Sequence, residues 1–542
     1  MRKTSFVSVL REPDNAFGAT EASPFRFEEA ATAACDVKHE YRVELGSAKV
    51  IVYPSGSPVK YLKLRFRGDM PTIEKVYGDQ WERSCDVEGN LLEWRSVMPH
   101  RALPWFCYVK ADGKIACYGV KTGANAFVFW QVDTRGVTLF INLCSGNEGT
   151  DLREPTVACE IVELIGEEGE DAYSVAKRFA KKMCDSPRLP KEPIFGVNNW
   201  YWAYGRISRD TIRTETDYLL RMCEGTKHRP YMIIDDGWQL NRTYGKGAYI
   251  GGPWVANGRF GSMQSTAEDI HEKGAKAGIW FRPLLTLGDI PEDAKLALSS
   301  GGVILDPTHP YTLERVAADA AAIRSWGYDL IKHDFTTIDI TGISPLTAEK
   351  HTNIMCREDR HFYDKTLTTA QAIKRLYSSI QDSADGAEVI GCNTVSHLTA
   401  GIHSVYRTGN DTSGRNFEIS RRDGINTMMR LPLNDAFYRV DPDCAAFTDR
   451  VDAELNLDFL EMCALTGVTT LASVTPNILN DKQLERINGI YRIADEDSRR
   501  YGILGYENTA SPEIFVSEDG SIREFDWERA YDGSRVCFDW FN

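Results

Sequence analysis

The 542-residue sequence has no apolar run long enough to cross a membrane as a helix. Its opening segment, Met1 to Glu12, holds too short an apolar run for a secretory signal. Basic clusters are missing too. The formal net charge is −15 with no basic run to offset it, which argues against a nucleic-acid partner. Close cysteine pairs are absent: 13 cysteines, an odd number, are scattered from Cys35 to Cys537. That usage predicts reduced thiols in a cytoplasmic protein. No Cys/His spacing suits zinc, so neither a metal nor a cofactor is expected. Internal repeats and low-complexity segments are also lacking.

What the chain does have is a change of pattern. Up to about Glu170, short alternating runs such as Tyr61–Phe66, Ala126–Gln131 and Gly136–Asn142 are separated by Gly, Asp and Asn turns. They predict an N-terminal β-sandwich with no catalytic pattern of its own. A helix-like segment, Asp171–Met183, and a linker with three prolines, Asp185–Pro193, complete residues 1–190. From Ile194, apolar runs alternate with helix-length segments, the pattern of βα units around a parallel sheet. Eight strands are expected: Ile194–Val197, Tyr231–Ile234, Ala277–Trp280, Asp329–Lys332, Glu388–Gly391, His403–Tyr406, Ala436–Val440 and Thr469–Leu471. Eight such units predict an α/β fold, a (β/α)8 TIM barrel over residues 191–476. A doubly wound sheet is the alternative, but no Gly-rich phosphate loop follows the first strand. Residues 477–542 begin with a helical pattern and then alternate, at Glu513–Ser517 and Arg535–Phe541, around turns at Asp519-Gly520 and Asp532-Gly533. They predict a small C-terminal β domain.

Catalytic residues of TIM barrels gather where the strands end. Here those ends read Asn199-Trp200-Tyr201, Asp235-Asp236-Gly237-Trp238, Phe281-Arg282, Lys332-His333-Asp334, Cys392-Asn393, Arg407 with Asp411, and Asp441 with Asp443. Carboxylates, aromatics and bases on one rim suit a carbohydrate pocket: carboxylates accept from hydroxyls, an aromatic covers the apolar sugar face, and two carboxylates do chemistry. Lys332 and Asp334 share a face of their strand, and an ammonium beside a carboxylate favours the anion a nucleophile needs. Each feature alone also has a structural reading. Asp235-Asp236 would serve as a cap, the aromatics as core, and Arg407 with Asp411 as a surface ion pair; His333, His397 and His403 read as structural histidines.

In order, Asn198–Tyr201, Ile234–Trp238, Gly274–Trp280, Lys332–Asp334 and Asp441-Pro442-Asp443 resemble the α-galactosidase clan, glycoside hydrolase families 27 and 36. Asn257–Phe260 through His271 resembles the segment before that clan's third strand, and the leading β domain resembles family 36. The resemblance implies a retaining glycosidase that removes terminal α-linked galactose or N-acetylgalactosamine from an oligosaccharide or glycoside. It implies Asp334 as nucleophile and Asp411 as acid/base. Lys332, Asp235 and Asp236 would hold ring hydroxyls, and Arg407, Cys392 and Asn393 would lie near the 2-position. Trp200, Tyr201, Trp238 and Trp280 would line the pocket. Asp411 is then expected to have a raised pKa, from burial and the nearby nucleophile. The chain departs from the family at Cys392–His397 and around Thr408–Gly414. A transglycosylase and a metal-dependent TIM-barrel hydrolase remain as alternatives, and a homo-oligomer is left open.

Overall fold

The structure is a computed structural model that describes residues 6–10, 15–19, 37–42, 47–54, 56–68, 70–83, 92–97, 101–240, 251–299, 301–343, 356–497 and 500–528. Two antiparallel sheets form the N-terminal sandwich. One carries Asn15–Ala19, Tyr61–Arg67, Gly136–Asn142, Phe127–Asp133 and Leu103–Pro104; the other centres on Ser47–Val52, Thr156–Ile165, Lys114–Val120 and Phe106–Ala111. Their facing side chains, among them Leu62, Leu64, Val128, Trp130 and Leu139, are buried completely. The helix Ala172–Met183, capped by Asp171 accepting from Ser174 N at 2.9 Å, buries Val175, Phe179 and Met183.

The barrel strands are β1 (Phe195–Asn198), β2 (Tyr231–Ile234), β3 (Lys276–Phe281), β4 (Leu330–His333), β5 (Glu388–Gly391), β6 (Val405–Arg407), β7 in two halves (Arg439–Asp441 and Cys444–Phe447) and β8 (Thr470–Val474). Neighbours pair in parallel from β1 to β6. The first half of β7 pairs with β6 and the second with β8, which in turn pairs with β1, so the sheet closes. Pro442 and Asp443 make the break in β7, and Asp443 adopts φ 68° there. A continuous apolar run such as Tyr231–Ile234, buried on both faces, is what a parallel barrel strand requires. Inside the barrel, Ile233, Leu330, Ile390, Val405, Ala446 and Leu471 pack together.

Around the sheet lie α1 (Arg209–Met222), α2 (Met263–Lys273), α3 (Pro310–Ser325), α4 (Thr369–Ser383), the single turn α5 (Ser396–Thr399), α6 (Phe417–Met429), α7 (Ala453–Thr466) and α8 (Asp481–Glu496). Capping boxes at Ser208/Thr211, Thr368/Gln371 and Asn480/Gln483 mark three of their starts. Helix α8 packs against α7 and α1, so the helical layer runs past residue 476. A three-stranded sheet, Leu285–Thr286, Lys295–Ser299 and Gly302–Leu305, is inserted after β3.

The last described elements form a small antiparallel sheet of Tyr501–Ile503, Ile514–Ser517 and Ile522–Glu524, with Gly520 at φ 83° in the expected turn. The strand expected at Arg535–Phe541 and the turn at Asp532-Gly533 lie outside the described residues. Among the described residues, no helix is long and apolar enough to cross a membrane.

Candidate active site

The end of β2 is held rigidly. Gly237 has φ 119°, and a Cβ there would sit 2.7 Å from the Gly205 carbonyl oxygen, so the turn admits only glycine. The Gly237 carbonyl accepts from Asn257 Nδ2 at 2.9 Å and from Arg259 Nη2 at 2.6 Å. Asp235 is held at the rim, where its Oδ2 accepts from Lys332 Nζ of β4 at 2.7 Å and from Asn198 Nδ2 of β1 at 2.7 Å. Asp236, also buried, accepts from Gln239 Nε2 at 2.7 Å.

The Lys332–Asp235 pair corrects the expectation that Lys332 serves Asp334 directly. Burial alone would pull the Lys332 ammonium down, but the Asp235 carboxylate holds it well above the ordinary lysine value. Asp334, half-buried just past β4, has other partners. Its Oδ2 accepts from the Trp280 indole at 3.1 Å, and its Oδ1 from the Phe335 backbone N–H at 2.8 Å. Phe335 turns the chain at φ 65° into the short helix Thr336–Thr341. There Thr336 and Thr337 hydroxyls donate to the Asn393 carbonyl at 2.8 and 2.9 Å, tying the loops after β4 and β5 together.

At the end of β6, Arg407 is fully buried. Its Nη1 reaches Cys392 Sγ at 3.5 Å, and its Nη2 reaches Asp411 Oδ1 at 2.6 Å and Asp443 Oδ2 at 3.0 Å. Asp443 also accepts from the Tyr201 hydroxyl and from Thr412 N, the latter at 3.0 Å. One guanidinium thus divides two carboxylates. Asp411 runs against expectation: burial pushes it up, but Arg407 and Arg83 outweigh that and hold it below the ordinary aspartate value. Asp443 is the raised one, pushed up by burial against the pull of Arg407 and Lys332, with the Asp411 charge adding to the rise. Asp441 accepts from the Thr469 hydroxyl at 2.7 Å and from Asp443 N at 3.1 Å, within the break of β7.

The sequence reading missed Arg83. It belongs to the N-terminal domain, yet it lies on the barrel rim with Nη1 3.3 Å from Asp411 Oδ1. With the Asn393 carboxamide oxygen turned toward it, Asn393 accepts from Arg83 Nη2 at 2.6 Å, Nε at 3.0 Å and Nη1 at 3.2 Å. Nothing local in Trp81-Glu82-Arg83 signals this, because the contact exists only once the two domains meet.

The aromatics separate. Trp280 donates to Asp334, and Tyr201 to Asp443. Trp200 packs edge-on against Tyr204 at the mouth of β1. Trp238 is instead fully buried behind the rim, against Trp254 and Trp326, with its N–H given to the Trp280 carbonyl at 2.8 Å. It braces Trp280 from behind. The three histidines are also interior: His333 and His403 face each other at 3.0 Å, and His397 stacks on Trp105 of the sandwich. Among the described residues, no group of three or more His, Cys, Asp and Glu side chains is arranged to hold a metal ion.

No family model matches the chain. An α-galactosidase from Oryza sativa subsp. japonica is 23% identical over 157 residues, 29% of this chain; the chain spans about one third of that relative's length. Solved structures match over far more. An α-galactosidase from Thermus thermophilus in complex with p-nitrophenyl α-D-galactopyranoside superposes with a TM-score of 0.61 at 17% identity, covering 90% of this chain and 99% of that one. The family 36 α-galactosidase of Geobacillus stearothermophilus in complex with 1-deoxygalactonojirimycin gives 0.56 at 12% identity, covering 93% and 77%. The α-galactosidase of Lactobacillus brevis gives 0.58 at 11%, covering 90% and 69%. The sandwich and barrel of this chain therefore have the fold of the family 36 α-galactosidases, as the motif series implies.

Proposed function

We propose that the protein is an exo-acting, retaining glycoside hydrolase that removes terminal α-linked galactose from oligosaccharides or glycosides. The observation that carries this reading is the placement of Asp334 and Asp411 at two strand ends of one rim, with the Lys332–Asp235 pair on the same rim. In the first step the Asp334 carboxylate attacks the anomeric carbon, the glycosidic C–O bond breaks, and the protonated form of Asp411, which Arg407 and Arg83 disfavour, gives its proton to the departing oxygen. In the second, Asp411 takes a proton from water, the water oxygen bonds to the anomeric carbon, and the ester to Asp334 breaks. Trp280 and the Phe335 N–H fix Asp334 for the attack. Lys332, Asp235 and Asp236 hold ring hydroxyls. Arg407, Cys392 and Asn393 border the 2-substituent, and Trp200 faces the apolar side of the sugar.

The fold shared with α-galactosidases supports galactose over other sugars. A screen of p-nitrophenyl α-glycosides, including galactose and N-acetylgalactosamine, tests the assignment. Release from the α-galactoside well above the others is expected, with the α-anomer as first product by NMR. An inverted first product, or no turnover of either galacto-configured substrate, rejects it.

A further inference from the structure

The mechanism above uses only barrel residues, yet one side chain of the N-terminal domain touches its machinery. Asp79-Gln80-Trp81-Glu82-Arg83 leaves the sandwich between two anchors. Trp81 sits in the sandwich core, edge-on to Trp105 and Phe127. Arg430, following α6, binds Asp79 at 2.6 Å and the Glu82 carbonyl at 2.6 Å, both without exposure to solvent. The segment is therefore held at both ends, and Arg83 projects from it onto the rim. Its guanidinium meets the Asn393 amide oxygen through three N–H groups and the Asp411 carboxylate through one. Glu82, buried beside it, accepts from Arg83 Nε at 3.0 Å and keeps the guanidinium from turning away.

We propose that Arg83 is a positioning residue for the acid/base Asp411, delivered from the N-terminal domain, so that sandwich and barrel together complete one active site. The inference rests on the role given to Asp411 above. A carboxylate that must alternate between giving and taking a proton is gripped from two sides, by Arg407 of the barrel and by Arg83 of the other domain. Two guanidiniums fix its orientation and favour its anion. The other groups around Asp411 are Lys332 on β4, Asp443 in the β7 break, Tyr201 and Tyr204 after β1, and Asp423 on α6. Among the described residues, only Arg83 reaches it from outside the barrel.

The test compares wild type, Arg83→Met and Arg83→Lys as full-length chains. The first readout is the pH profile of kcat/KM for an alkyl α-galactoside, whose poor leaving group needs the Asp411 proton. Loss of one of the two cations should move the alkaline limb up by about one pH unit in Arg83→Met, with roughly tenfold more activity than expected above it. Arg83→Lys, which keeps the charge, should return the limb toward wild type. The second readout needs no substrate: the 13C carboxyl titration of Asp411, assigned with Asp411→Asn, should shift upward in Arg83→Met. Should Arg83→Met not accumulate folded, Arg83→Gln gives the same comparison. A limb and a carboxyl titration that coincide in all variants overturn the proposal. If the wild type cleaves no α-galactoside, the functional reading falls, and the carboxyl titration alone decides the role of Arg83.

Discussion

Asp334 and Asp411 are gripped by different chemistry, and their variants should differ accordingly. Asp334 accepts from two neutral donors, Trp280 and a backbone N–H, so truncating it strands no buried cation. Asp334→Ala should fold with an unchanged melting temperature while turnover drops by several orders of magnitude, as loss of a covalent catalyst does. Activity within about tenfold of wild type would remove Asp334 from the role. Asp411→Ala should chiefly damage substrates with poor leaving groups, and added azide should restore turnover as the α-galactosyl azide. If good and poor leaving groups suffer equally and azide does nothing, the role passes to Asp443, which shares Arg407 and is pushed toward its protonated form. Asp441 is the weaker substitute because Thr469 and the Asp443 backbone already occupy it. The two carboxylates proposed as catalytic could be singled out in the sequence because each follows a strand end. Their partners could not: the strand pattern puts Lys332 and Asp334 on one face, yet Asp334 lies just past β4 and Lys332 reaches over β3 to Asp235 at the end of β2, 97 positions away in the chain.

At the scale of elements, the strands were legible because parallel barrel strands are nearly continuous apolar runs. Tyr231–Ile234 and Glu388–Gly391 fall where the pattern puts them. The break in β7 was not legible, since its signal is a left-handed Asp443 that pairing on both sides imposes. Nor was the strain of polarity inside α1. Glu215 lies on the helix face that also carries Ile212 and Leu219, fully buried, and accepts from the Trp202 indole at 2.9 Å. Burial pushes its carboxyl up to about 8 from an ordinary 4.5. The folded state therefore holds a proton that the unfolded chain releases near 4.5. Stability from this group is fully present below about 4.5 and is lost as pH rises through about 8. The change is on the order of a few kcal/mol. Glu215→Gln, a permanent mimic of the protonated form, should leave Tm unchanged near pH 4 and raise it relative to wild type at pH 9. Parallel Tm profiles for the two proteins would show that Glu215 does not titrate in this range.

For the whole molecule, the seam between sandwich and barrel is where the sequence said least. Composition and turn spacing describe each domain separately, and no local pattern reports that Asp79 and Arg430, 351 positions apart, will meet without solvent. Burial pushes Asp79 up while Arg430 pulls it down, so the pair stands only because each charge answers the other. Arg430 also donates to the carbonyls of Thr408, after β6, and Glu82, so it ties the Arg83 segment to the strand that bears Arg407. Asp79→Ala leaves this guanidinium buried with no counter-charge, which typically costs about 3–5 kcal/mol. A clear drop in Tm should follow. If the pair also delivers Arg83, the surviving folded enzyme should show the raised alkaline limb of Arg83→Met, although residue 79 touches no catalytic group. The double variant Asp79→Ala/Arg430→Met removes the stranded charge and should recover part of the lost Tm, because a well-packed apolar replacement can match a buried pair. It should not recover the pH profile, since Arg430→Met also removes the grip on the Glu82 carbonyl. Restoration of both by the second substitution would mean that the pair matters for packing alone and that Arg83 finds the rim without it.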